Sequence, residues 1–134
     1  MLARAALLYR PGRMARAGEV LVDPTSGRRL IFRRTSAQTS GRLTEYAVHY
    51  GGLEARPEPQ VHADREHVLE VVDGWLQACV AGRTQQLVVG DVLLIDRGQA
   101  HVVWNASPWP AAAVWQTFPC LDTEAEIEAR CVRH

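Results

Sequence analysis

The sequence of 134 residues predicts an all-β fold in a single domain, and three observations carry that expectation. Short apolar, β-branched runs recur along its length. Turn-forming clusters rich in Gly, Pro, Asp and Asn separate them at close intervals. Between them no stretch has the length or the 3.6-residue apolar period of a crossover helix, which argues against a doubly wound α/β fold.

Taken in order, residues 1–18 (MLARAALLYRPGRMARAG) are expected either to be flexible or to add an edge strand. Their apolar run, AALLY, is too short for a signal-peptide core or a bilayer span. RRLIFRRT follows the turn signal PTSG and reads as the first clear strand. RLTEYAVHY lies between TSG and YGG, and EHVLEVV ends in Asp73-Gly74, a strong hairpin signal. WLQACVA, TQQLVV, DVLLID and AHVVWN are each bounded by Gly-containing turns, and AAAVWQTF follows NASPWP. The strands therefore run from about residue 19 to 118. DTEAEIEAR breaks the pattern: good helix formers, with Thr123 and Glu126 spaced as a capping box, predict a short C-terminal helix over 122–130.

Composition narrows the function. Fifteen basic and fifteen acidic residues give a formal charge of zero, so no global field draws in nucleic acid or an anionic membrane. All the basic residues are arginine; the absence of lysine removes Schiff-base chemistry. Cys79, Cys120 and Cys131 are odd in number and lack CxxC spacing, which fits a reducing, cytoplasmic setting.

Two stretches carry chemistry. In GDVLLIDRGQAHVVWN, residues 90–105, alternation places His101, Val103 and Asn105 on one face of a strand and Val102 and Trp104 on the other. Asp96 reads as a turn former and Asn105 as closing local backbone hydrogen bonds. In QVHADREHVLEVVDG, residues 60–74, Gln60 and His62 share one face and His67, Leu69 and Val71 another. The odd spacing of His62 and His67 lets both point inward only if ADRE bends, which Asp64 suits. Cys79 alternates against Leu76, Ala78 and Val80 and is expected to face away from the interior.

These stretches resemble the motifs of the cupin family, in particular small single-domain bacterial cupins. The second cupin motif, G-x5-P-x-G-x2-H-x3-N, is matched by Gly90, Gly98, His101 and Asn105, with Asp96 in the proline position. In the first motif, Gln60, His62, His67 and Gly74 fall on the positions of His, His, Glu and Gly. The resemblance implies a jelly-roll β-barrel with a divalent metal held by residues of both motifs: His62 and His101 as unchanged ligands, His67 in place of a glutamate and Gln60 in place of a histidine. Three neutral imidazoles suit iron, zinc, nickel or manganese as the single divalent transition metal and favour an anionic or enolate-like substrate, whose charge offsets that of the metal. Three of the five histidines occupy motif positions, which weighs against chance.

Other readings stay open beside this one. Glu66 offers an alternative ligand register, with His67 turned outward. The barrel centre could also have lost its metal. Trp115, Leu69, Val103 and His49 are candidate pocket residues; His134 and the pairs Arg28-Arg29 and Arg33-Arg34 read as solvated charges, the pairs protecting strand edges. The function expected is a metal-dependent small-molecule enzyme of the cupin type, a dioxygenase, isomerase or cyclase. The alternative is a cupin that binds a small ligand without catalysis. Edge logic and the resemblance also predict a homodimer.

Overall fold

The computed structural model describes residues 15–133. Residues 1–14, including AALLY and the edge strand expected there, and His134 lie outside the described residues. Ala15 packs against the core, and the Gly18 N–H donates to the Phe32 carbonyl at 2.7 Å.

Ten strands form two antiparallel sheets. They are β1 (Val20–Val22), β2 (Arg29–Arg34), β3 (Thr44–Tyr50), β4 (Glu66–Asp73), β5 (Trp75–Val80), β6 (Arg83–Val88), β7 (Val92–Ile95), β8 (His101–Trp104), β9 (Ala111–Phe118) and β10 (Val132–Arg133). The larger sheet has the order β10-β1-β2-β3-β9-β4-β7 and the smaller β6-β5-β8. Among the described residues there are also two short helices, α1 (Ser36–Thr39) and α2 (Thr123–Arg130).

The eight expected strands are present, and period-2 alternation explains how they pack. Leu69 and Val71 on β4, Val48 and Tyr50 on β3, Leu76 and Ala78 on β5, and Val103 on β8 all enter one core cluster. Cys79, Val102 and Trp104 form a separate cluster on the other face of the small sheet, so Cys79 faces away from the interior, as its alternation requires. Asp73-Gly74 joins β4 to β5, and Gly74 has φ 65°, a conformation glycine adopts without strain.

Three elements differ from expectation. β10 is two residues long and pairs with β1 at Leu21 and Val22; so short a segment carries no periodicity to read. The α1 turn has a capping box, with the Thr35 N–H donating to Gln38 Oε1 at 2.9 Å. The Ser36 N–H and hydroxyl both donate to Glu124 of α2. At α2 the expected box of Thr123 and Glu126 does not form: Asp122 is the N-cap, and Arg65 takes both side chains, at 3.0 and 3.3 Å. This arginine, 5% exposed, also bonds Asp64 and Asp122, tying the turn before β4 to the helix. The charge makes the competing interaction the stronger one.

Candidate metal centre

Three chain segments bring one histidine each to a common point. His67 is the second residue of β4, which pairs on both sides with β7 and β9, so its rotation is set by the large sheet. His101 opens β8 and belongs to the small sheet. His62 lies in the irregular segment between β3 and β4, fastened to the start of β8 by an isolated bridge. The Gln60 N–H donates to the His101 carbonyl at 2.8 Å, and the His101 N–H to the Gln60 carbonyl at 2.9 Å. The Gly98 N–H donates to the His62 carbonyl at 2.9 Å, and a bend at Ala63–Asp64 then reverses the chain into β4. That bend lets two histidines of odd spacing face the same way.

The rings converge closely. Centroids are 5.1 Å apart for His62–His67 and His67–His101, and 5.7 Å for His62–His101. Each residue offers a nitrogen within 4.8 Å of the others, and His62 Nδ1 lies 3.1 Å from His67 Nε2. Nitrogens bound about 2.1 Å from one ion sit roughly 3.0–3.4 Å apart, so the group can close on a metal with small side-chain adjustments. The outer nitrogens are held as well. His101 Nδ1 is 3.2 Å from the Gln99 carbonyl, which can only accept, so Nδ1 carries the proton and the Nε2 lone pair is free. His67 Nδ1 lies 2.9 Å from the hydroxyl of fully buried Thr117.

Burial sets the charge of the site. Desolvation, reinforced by His101, His62 and Arg65, pushes the His67 pKa down to about 3. His62 and His101 are also shifted downward, first by desolvation. All three are therefore uncharged at neutral pH, the form in which imidazole binds a metal.

The histidines border a cavity of about 600 Å³. Its apolar wall includes Leu30, Tyr46, Val48, Tyr50, Val103 and Trp115. Trp115 packs edge-on against His67, with centroids 5.9 Å apart, and donates from Nε1 to the Tyr50 hydroxyl at 2.9 Å. Burial raises the pKa values of Tyr46 and Tyr50, keeping both phenols neutral.

Of the residues singled out from sequence, His62, His67 and His101 come together, and Gln60, Val103 and Trp115 border the same cavity. Glu66 points to the other side of β4, with its carboxylate 4.0 Å from Arg97, and the register with His67 inward is the one observed. Leu69 is a correction: it is fully buried between Leu93 and Trp115 in the core instead of lining the cavity. His49 is a second correction. Tyr46, Val48 and Tyr50 take the inward positions of β3, so His49 is exposed on the outer face. Asp96 does not close its turn through its carboxylate; the Gln99 side chain accepts from the Asp96 N–H at 2.8 Å. Asn105 closes its loop as expected, donating to the Trp109 carbonyl and accepting from the Ser107 N–H and hydroxyl.

The sequence reading passes over Arg28, Tyr46, Tyr50 and Glu54. Alternation in TEYAVHY was the available signal for the tyrosines, since an outward His49 requires an inward Tyr50. Arg28, expected to be solvated, instead forms a two-pronged ion pair with Glu54 at 2.8 and 2.9 Å and lies 4.6 Å above the Tyr50 ring. Burial opposes its charge, and the Glu54 pair outweighs that, raising the Arg28 pKa.

No protein-family model matches the sequence, and a search of curated proteins gives no match. Solved structures do resemble it. KdgF from Halomonas sp. superposes with a TM-score of 0.66 at 17% identity, over 77% of this chain and 88% of that one. A predicted oxalate decarboxylase from Thermotoga maritima gives 0.67 at 11% identity, over 81% and 96%. A sugar phosphate isomerase of the cupin superfamily from Silicibacter pomeroyi gives 0.59 at 18% identity, over 69% and 59%. No helix among the described residues is long and apolar enough to cross a membrane. Strand order, sheet pairing and these likenesses agree, and by fold the chain is a cupin jelly roll.

Proposed function

We propose that the protein is a metal-dependent enzyme acting on a small oxygenated molecule that is anionic or becomes enolate-like, through dioxygenation, isomerisation or cyclisation. The observation that carries this reading is the convergence of three uncharged imidazoles, from two sheets and a loop, on the wall of a cavity of about 600 Å³. His62, His67 and His101 would hold one divalent ion of iron, zinc, nickel or manganese, with Gln60 beside them as a weak ligand or an orienting amide. When bound, such an ion supplies Lewis-acid polarisation and, for a redox-active metal, electron transfer. The protein's own part is positional: Gln99 and Thr117 hold ring nitrogens, and Tyr46, Tyr50 and Trp115 exclude water from one side. Similar folds named for oxalate and sugar phosphate, both oxygenated anions, support the substrate class.

One observation favours non-catalytic binding of a small ligand as the second reading. Of the four carboxylates bordering the cavity, Asp23, Glu54 and Glu126 are each engaged by an arginine, and Glu58, without an ion-pair partner among the described residues, is an exposed loop residue. Elemental analysis of purified protein beside His101→Ala tests the leading reading. A stoichiometric transition metal, lost in the variant, is expected; no uptake under any loading condition would remove it. We further propose that the chain pairs with a second copy through its exposed sheet edges.

A further inference from the structure

The Arg28 guanidinium is placed as a recognition group rather than as a structural tie. Its Nε and Nη2 are engaged by Glu54, and Nη2 also donates to the Val103 carbonyl at 3.2 Å. Among the described residues Nη1 has no partner, so two N–H groups remain, and the side chain, 21% exposed, borders the cavity. Glu54 is itself fixed by the Asn105 N–H at 2.9 Å, and the Tyr50 ring lies beneath the guanidinium. The guanidinium is thus immobilised, with its Nε/Nη2 edge taken and Nη1 left open.

Its position relative to the histidines follows from β8. Val103, whose carbonyl accepts from Arg28, is two residues beyond His101 in β8, so the guanidinium and the histidines border the same cavity. The cavity that both border has Val103, Tyr50 and Trp115 in its apolar wall. Arg56 and Glu58, both exposed and without an ion-pair partner among the described residues, offset each other at the cavity rim, where Arg56 stacks over Trp104 at 5.1 Å. A molecule with its metal-binding oxygens at the histidines shares its cavity with the two free N–H groups of Nη1, which only an acceptor can satisfy.

We propose that Arg28 binds the far end of the substrate, and that the substrate is an oxygenated acid carrying a second carboxylate beyond its chelating oxygens. Nη1 can donate to a carboxylate oxygen in a charge-assisted hydrogen bond. This rests on the metal-centre reading for the near end of the molecule, but the Arg28 subsite has its own readout.

The test is calorimetric titration of cobalt-loaded protein with 2-oxoglutarate and 2-oxoadipate, against the length-matched monocarboxylates 2-oxopentanoate and 2-oxohexanoate. At least one dicarboxylate is expected to bind about tenfold more tightly than its monocarboxylate partner. Arg28→Lys, which keeps the charge but loses the fork, should retain cobalt stoichiometry and lose that preference. Because Arg28 variants leave Glu54 poorly partnered, the double variant Arg28→Gln/Glu54→Gln, with its fold checked by thermal melting, serves as the second arm. Equal binding of both acid classes at both lengths would overturn the assignment, as would a preference that survives both variants. If no cobalt is taken up but glutarate still outcompetes pentanoate in wild type alone, the Arg28 subsite stands and the metal reading falls.

Discussion

Thr117 shows how one hydroxyl can govern a metal ligand. It is fully buried and 2.9 Å from His67 Nδ1, so it holds the ring with Nε2 turned toward His62. Thr117→Val keeps the shape of the side chain and removes that partner. Metal affinity, measured by competition with a chromophoric chelator, should fall roughly 10–100-fold with little change in fold. The same histidine sets an acid sensitivity. Its folded pKa of about 3 lies below the ordinary value near 6.5, so between these pH values the unfolded chain binds a proton the folded one refuses. Stability of the metal-free protein should therefore decline as pH falls from about 6.5 toward 3, and His67→Gln should flatten that decline in thermal melts. The three histidines were legible because motif spacing marks them. Arg28 was not, because its burial depends on Glu54, which lies 26 positions away in a loop without periodicity.

At the scale of elements, turns and alternation were the readable features. DG, GD and RG signals located the strand ends because each reflects a backbone conformation the chain must adopt locally. Gly74 makes this testable: its φ is 65°, and a Cβ built there would lie 2.6 Å from the Pro110 carbonyl oxygen. Gly74→Ala combines left-handed strain with a backbone clash and should cost at least about 2 kcal/mol, read as a lower midpoint in urea unfolding. The α2 cap was misread for a different reason. Thr123 and Glu126 have the spacing of a capping box, but buried Arg65 offers both a charged partner, and sequence spacing does not reveal a competitor 58 residues away. β10 and α1 escaped because two to four residues are too few to show a period.

At the scale of the molecule, the sheet edges suggest how copies would meet. β10 already covers β1 at Leu21 and Val22, whereas among the described residues β7 has no strand on its outer side, with Val92 and Leu94 62% and 57% exposed. A homodimer is expected, and light scattering across a concentration series should give a mass above the 14.9 kDa of one chain; a constant monomer mass would remove the expectation. The distribution of the histidines has a mechanical meaning as well. His67 belongs to the large sheet, His101 to the small one, and His62 to the segment bridging them. An ion gripping all three would act as a removable rivet through the mouth of the barrel, closing chain loops that are otherwise held by packing and a few backbone hydrogen bonds. Its free concentration would then set how often the mouth gapes. At 100 times the dissociation constant the rivet adds about 2.7 kcal/mol, so the melting temperature should climb with metal and proteolysis between β3 and β4 should slow in step.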